Sequence, residues 1–172
     1  MIKLAITGGI GSGKSHVARQ MTELLGIPVY DSDSNAKRLN EESAVIRCGL
    51  LDMVGSDVYD DQGRLNRQRL AAFLFASDEN ARRVNSLIHP VVKEDFIRWA
   101  SEQTAPVVAI ETALLAESGI DKIVDRVIRV DAPLETRINR AMQRDGVARE
   151  KVLERMAHQQ EYPNPDIIIN NV

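Results

Sequence analysis

The sequence contains little cysteine and no long apolar run. Its 172 residues include one cysteine, Cys48, which excludes an internal disulfide and a cysteine-rich metal site and fits a reducing compartment. We expect this residue to be a small buried side chain. No run approaches the roughly eighteen apolar residues of a membrane span, and the opening MIKLAI is too short for the apolar region of a signal peptide. The sequence therefore predicts a cytoplasmic protein with no membrane partner.

Neither sign of charge dominates the sequence. Its 22 Lys and Arg residues and 25 Asp and Glu residues give a formal net charge of -3. Because nothing in this balance favours a polyanion, we expect no nucleic-acid partner, and any anionic ligand must meet a local cluster of cations. The length and the 44% apolar content are typical of one globular domain. We expect a monomer or a small homo-oligomer.

The first part of the chain alternates between strand and helix patterns. The apolar, β-branched run at 2–7 predicts a buried strand, and the helical spacing of apolar residues over 14–25 predicts a helix. Residues 27–33 predict a second strand with Asp31 and Asp33 at its polar end. Strand, helix and strand within about thirty residues require a parallel sheet.

The rest of the chain divides into a helical insertion and a return of the sheet. Residues 34–104 show only helical patterns, and His89 and Pro90 should break or kink the last of these helices. The later elements are strands in PVVAIE, KIVDRVIRVD and DIIIN, and helices from Pro133 to Gly146 and from Arg149 to Gln159. The predicted fold is a single α/β domain at 1–172, with a parallel five-stranded sheet flanked by helices at 1–33 and 105–172.

A glycine-rich segment joins the first strand to the first helix. GGIGSGKS fits the pattern G-x-x-x-x-G-K-[ST], with Gly8, Gly13, Lys14 and Ser15 at the fixed positions. In such a P-loop the backbone N–H groups and the helix N-terminus hold phosphate oxygens, the lysine reaches the outer phosphates and the hydroxyl is a ligand of Mg²⁺. The alternative is a glycine-rich turn with a solvated lysine. The pattern predicts a P-loop NTPase-type fold with a nucleoside triphosphate site.

Two aspartates follow the second predicted strand. Because the carboxyl ends of parallel strands face the ligand crevice, we expect Asp31 and Asp33 beside the phosphates. A carboxylate there can hold Mg²⁺ through water or accept a proton from an attacking hydroxyl. The pattern does not decide which of the two aspartates has which role. The alternative to a functional role is that the segment DSDSN only caps a helix and forms a turn.

Three arginines share one stripe of the helix after the fourth strand. Arg137, Arg140 and Arg144 lie at i, i+3 and i+7. Such a stripe is usually solvated surface. Because this helix follows a strand of a phosphate-binding sheet, we expect its arginines to reach the transferred phosphoryl group.

In their order along nearly the whole chain, these segments resemble the dephospho-coenzyme A kinase family. The matching segments are ITGGIGSGKS, VYDSDSNAKRL, GRLNRQRL, FASDENARRVNSLIHP, LLAESG, DRVIRVDAP, RAMQRDG and DIIINN. The resemblance implies a P-loop kinase with a helical substrate and lid insertion. It also implies transfer of the γ-phosphate of ATP to the ribose 3′-hydroxyl of dephospho-coenzyme A, with Mg²⁺, in the last step of coenzyme A synthesis.

The resemblance also assigns roles to residues. Asp33 matches the proposed general base, Arg140 and Arg144 match arginines that hold phosphate, and 34–104 matches the domain that receives the acyl-carrier end of the substrate. The nucleotide-binding candidates are Gly9, Ile10, Gly11, Ser12, Gly13, Lys14, Ser15 and His16, with Ser15 also at the metal. The substrate-binding candidates are Asp31, Asp33, His89, Leu114 and Glu117, and a structural role stays open for the last three.

The sequence departs from the family pattern in three places. His16 stands where the family usually has threonine, and ETALLAESG lacks the proline and phenylalanine of the family's PLLFESG. The segment between Gln160 and Asp166 is shorter than in the family, which predicts either an altered adenine-side loop or a sequence that is not complete there.

Other functions share part of this pattern. A nucleoside or nucleotide kinase would have the same loop, aspartate and arginines. A nucleotide-dependent switch would hydrolyse slowly and signal through conformational change, but the sequence has no N-K-x-D segment of the kind that reads guanine. A non-catalytic relative is disfavoured by the intact Lys14, Ser15, Asp33, Arg140 and Arg144.

Overall fold

The computed structural model describes residues 1–172, and it confirms the predicted fold class. The strands are β1 Ile2–Thr7, β2 Val29–Asp31, β3 Val107–Glu111, β4 Arg126–Asp131 and β5 Ile167–Asn170. The helices are α1 Lys14–Leu25, α2 Ser32–Glu42, α3 Ala44–Val54, α4 Arg67–Ala76, α5 Asp78–Ser101, α6 Leu134–Asp145 and α7 Arg149–Ala157. None of these helices combines the length and the apolar character needed to cross a membrane.

The five strands form one parallel sheet in the order β2-β3-β1-β4-β5. The central strand β1 pairs with both β3 and β4, and its residues Ala5 and Ile6 are completely buried. Continuous apolar runs such as VVAI in β3 are what a parallel sheet covered on both faces requires. Because the strands are parallel, the carboxyl ends of β1, β3 and β4 lie at the same edge of the sheet. The glycine-rich loop starts from that edge.

The chain divides into two compact units, one at 1–31 and 100–172 and the other at 32–99. The first unit contains the sheet, and α1 buries Val17, Ala18 and Met21 in the same core as sheet residues such as Ile6. A second apolar cluster joins α6 to α7 through Ile138, Ala141 and Val152. Burial of such side chains stabilises the unit by roughly 1.5–3 kcal/mol per large residue.

The second unit is helical. Its only strand-like pairing is an isolated antiparallel bridge between Tyr59 and Leu65. Cys48, which we expected to be buried, is exposed, so that prediction is wrong. The buried residues of α3 are Ile46, Leu50 and Val54, which are spaced four apart. Cys48 is exposed because it lies two positions from Ile46, on the opposite face of the helix.

Helix α5 continues through Pro90, so the predicted break does not occur, and the alternative of a kink stays a prediction. A proline inside a helix removes one backbone hydrogen bond and costs about 3 kcal/mol. Pro90 lies on an exposed part of α5, where water can solvate the carbonyl that loses its partner. On the other side of the helix Val84, Val92 and Phe96 are almost completely buried, and this packing holds the helix together.

Candidate active site

The loop between β1 and α1 has a backbone that only glycine permits at its key positions. Gly11 and Gly13 have φ angles of 73° and 93°, in the left-handed region that favours glycine. A Cβ atom on Gly11 would collide with the backbone carbonyl of Arg137, and one on Gly13 would collide with the side-chain amide of Asn171. The loop therefore lies tightly against α6 and the chain that follows β5.

The N-terminus of α1 is prepared for an anion. Gly13 caps this helix without a side-chain hydrogen bond, and no acidic residue lies in the first turn. The first N–H groups of a helix lack intrahelical partners and carry partial positive charge. In the loop just before α1, the hydroxyl of Ser12 is buried without a hydrogen-bond partner. The N–H groups at this helix end fit the phosphate oxygens of a nucleotide.

A cavity of about 190 Å³ opens at this helix end. Its lining residues are Gly11, Gly13, Lys14, Ser15, Arg140, Ala141 and Arg144. The structure thus brings together the loop, the lysine and two of the three arginines on α6. Three cations beside an uncapped helix N-terminus give a site that attracts a polyanion although the whole chain is slightly acidic.

Glu111 is a candidate site residue that the sequence patterns did not predict. It ends β3, and its Oε1 atom accepts a hydrogen bond of 2.7 Å from the Ser15 hydroxyl. In register it lies opposite Asp31, the last residue of β2. A hydroxyl and carboxylates are oxygen donors of the kind that Mg²⁺ prefers. The sequence feature that could have indicated Glu111 is the acidic residue at the end of PVVAIE, on a strand next to β1.

No group of three or more His, Cys, Asp or Glu side chains in the structure is arranged to hold a metal ion. Mg²⁺ in phosphotransferases is usually bound by one or two protein oxygens together with the substrate phosphates. Ser15 and Glu111 fit that kind of site.

The three arginines of α6 have different partners. Arg137 donates to the backbone carbonyl of Ile10 at 3.0 Å and pairs with Glu161, and it does not line the cavity. Arg144 lines the cavity and also donates to Asp145, and this hydrogen bond, with a smaller effect of Arg155, holds the pKa of the Asp145 carboxyl below its usual value. The expectation that all three arginines face one ligand therefore does not hold for Arg137, which is occupied in fixing the loop.

The two aspartates lie in different elements. Asp31 ends β2 as predicted, but α2 already begins at Ser32, so Asp33 lies in the first turn of a helix and not at a strand end. Both side chains are exposed. Asp33 stabilises α2 at this position, because a carboxylate in the first turn interacts favourably with the helix dipole.

The other candidates lie outside the cavity lining. His16 is exposed in the first turn of α1. Leu114 and Glu117 are exposed in the turn after β3, and the half-buried His89 lies within α5 in the helical unit.

A glycine cradle between a strand and a helix, with a lysine and a serine at the start of that helix, defines a P-loop nucleotide-binding protein. The sequence matches the dephospho-CoA kinase family over residues 2–171, and the chain belongs to that family. It is 52% identical over 160 residues to the dephospho-CoA kinase of Porphyromonas gingivalis, with 93% of this chain and 78% of the relative covered. The identity to the Escherichia coli dephospho-CoA kinase is 37% over 156 residues, covering 91% and 75%.

Solved structures share this fold. A crystal structure from Thermus thermophilus matches 99% of this chain and 88% of its own chain, with a TM-score of 0.84 and 33% identity. The dephospho-CoA kinase from Campylobacter jejuni, at 21% identity and a TM-score of 0.68, has the same fold over 98% of this chain and 87% of its own.

Proposed function

We propose that this protein transfers the γ-phosphate of ATP to the ribose 3′-hydroxyl of dephospho-coenzyme A, giving coenzyme A and ADP. The observation that carries the proposal is the cavity at the uncapped N-terminus of α1, with Lys14, Arg140 and Arg144 around it. Membership of the dephospho-CoA kinase family supplies the acceptor. The cytoplasmic location and the oligomeric state stay predictions.

The donor side of the reaction is electrostatic. The loop from Gly9 to Ser15 and the first turn of α1, with His16, hold the nucleotide phosphates at the cavity that Gly11, Gly13, Lys14 and Ser15 line. Lys14 and the two arginines neutralise charge on the transferred group. Ser15 and Glu111 would hold Mg²⁺, which when bound supplies further positive charge to the phosphates.

The acceptor side depends on a base and on binding. Asp33 orients the 3′-hydroxyl and accepts its proton, a role that usually contributes about 10²–10⁴-fold to the rate. The helical insertion at 34–104, with His89, binds the acceptor. Asp31, Leu114 and Glu117 complete the proposed acceptor site.

An acceptor panel tests the proposal. ADP release with ATP and Mg²⁺ is measured in the presence of dephospho-coenzyme A, adenosine, AMP or no acceptor. We expect acceleration by dephospho-coenzyme A alone. Acceleration by adenosine or AMP would keep the phosphoryl-transfer chemistry and assign a different acceptor, and slow release without any response to acceptors would favour a switch.

Glu111→Gln is expected to raise the Mg²⁺ concentration needed for half-maximal ATP binding by about tenfold. The substitution keeps the shape but replaces an anionic oxygen ligand by a neutral amide next to the Ser15 hydroxyl, which Glu111 meets at 2.7 Å, and Mg²⁺ is usually bound through one or two carboxylates. Calorimetric titration of ATP at several Mg²⁺ concentrations measures the effect. Glu23→Gln, at an exposed position on α1, is the matched control. An unchanged Mg²⁺ dependence in the Glu111 variant would remove this residue from the metal site.

A further inference from the structure

Asn171, directly after β5, makes three hydrogen bonds that join separate parts of the first unit. Its side-chain Nδ2 donates to the backbone carbonyl of Ser12 at 2.9 Å. Its backbone carbonyl accepts from Nη1 of Arg140 at 3.2 Å. Its backbone N–H donates to the carbonyl of Asp131, at the end of β4, at 2.7 Å. One residue thus contacts the glycine loop, an arginine of the cavity and the edge of the sheet.

The contact with the loop is tight. A Cβ atom built on Gly13 would collide with the Asn171 amide nitrogen and would lie 3.6 Å from Nη1 of Arg140. Gly13 is the residue immediately before Lys14, and both Gly13 and Arg140 line the cavity. Asn171 therefore contacts the loop at Gly13, next to Nη1 of Arg140.

We propose that Asn171 is a positioning residue for nucleotide binding, which sets the distance between the loop and Arg140. It touches the loop with its side chain and the arginine with its backbone, so the two cationic sides of the cavity are fixed to one residue that β4 holds in place. This inference rests on the proposed function, because it assumes that the cavity takes the phosphates of ATP.

The chemistry of the side chain matters as well as its size. The amide donates to the Ser12 carbonyl, which a carboxylate of the same size cannot do. An aspartate at this position would place a carboxylate oxygen against the Ser12 carbonyl oxygen. It would also add negative charge beside the phosphates, where it is unfavourable. Alanine removes the donor and the side-chain volume but adds no charge, so comparing the two substitutions separates loss of the contact from added repulsion.

The test measures ATP binding with Mg²⁺ by isothermal titration calorimetry in the absence of acceptor. We expect Asn171→Ala to weaken binding roughly fivefold to tenfold and Asn171→Asp by roughly fiftyfold. Asn170→Ala, which removes an exposed side chain of the same type one position earlier, should change it less than about twofold. In turnover assays the KM for ATP should rise while the KM for dephospho-coenzyme A stays constant. Equal ATP affinity in the Asn171 and Asn170 variants, or a parallel loss for both substrates, overturns the proposal.

A double-mutant cycle with Arg140→Ala tests the coupling. If Asn171 acts by positioning Arg140 against the loop, the effect of Asn171→Ala on ATP affinity should be clearly smaller once Arg140 is absent. Additive effects contradict a shared role. If the alanine variant does not fold, Asn171→Leu, which keeps a similar volume without an amide donor or a charge, serves in the same cycle. Absence of ATP binding by the unaltered protein refutes the proposed function and this inference together, whereas normal ATP binding by every Asn171 variant refutes the inference alone.

Discussion

Lys14→Ala is expected to lower kcat by at least about a hundredfold while the protein remains folded. Lys14 lines the cavity at the start of α1, next to an uncapped helix N-terminus. Its ammonium group would stabilise negative charge that develops on the phosphates during transfer, and a hundredfold loss corresponds to about 2.7 kcal/mol of transition-state stabilisation. Alanine has the best helix propensity, so α1 should form normally.

Steady-state kinetics and circular dichroism check this prediction side by side. Arg19→Ala, which removes an exposed positive charge from the same helix, is the control and should retain turnover within about twofold. If the folded Lys14 variant keeps turnover within a few fold of the unaltered protein, charge neutralisation by this residue is not part of the reaction.

Asp33→Asn is expected to lower kcat by at least about a hundredfold with little change in either KM. Asparagine has the shape of aspartate but cannot accept the proton of the attacking hydroxyl. Substrate binding should therefore be unchanged, whereas the chemical step should become slower. The variant should fold, because Asp33 is exposed in the first turn of α2 and asparagine is well tolerated near helix starts.

Asp52→Asn, at an exposed position on α3, is a control that makes the same chemical change. It should leave kcat unaltered. Near-normal turnover of a folded Asp33→Asn protein would refute its role as the base, and a rise in the KM for the acceptor with constant kcat would make it a binding residue instead.

The sheet and the loop could be predicted because their signals are local. The apolar run at 2–7 followed by glycines specifies a buried strand and a turn, and the spacing after Lys14 specifies a helix. The boundary at Asp31 was harder, because DSDSN is typical both of a strand end and of a helix start, and the helix begins at once. The effect of Pro90 depended on which face of α5 is buried, which its neighbours in sequence do not decide.

The finer parts of the site depend on contacts between residues far apart in sequence. Glu111 meets Ser15 across 96 positions, and Asn171 meets Ser12 across 159. The helical stripe predicted a common direction for Arg137 and its neighbours, but Arg137 reaches the loop carbonyl of Ile10 while Arg140 and Arg144 line the cavity. Local periodicity states which residues share a helix face, whereas packing decides what each of them touches.

The proposed reaction is defined by the ribose atom to which the phosphate is added. The most direct measurement is ³¹P NMR and mass spectrometry of the product formed from ATP, Mg²⁺ and dephospho-coenzyme A. We expect a mass gain of one phosphate and a new phosphomonoester coupled to the ribose 3′ proton. A phosphate at any other atom, or an unmodified acceptor in a preparation that binds ATP, would contradict the proposed reaction.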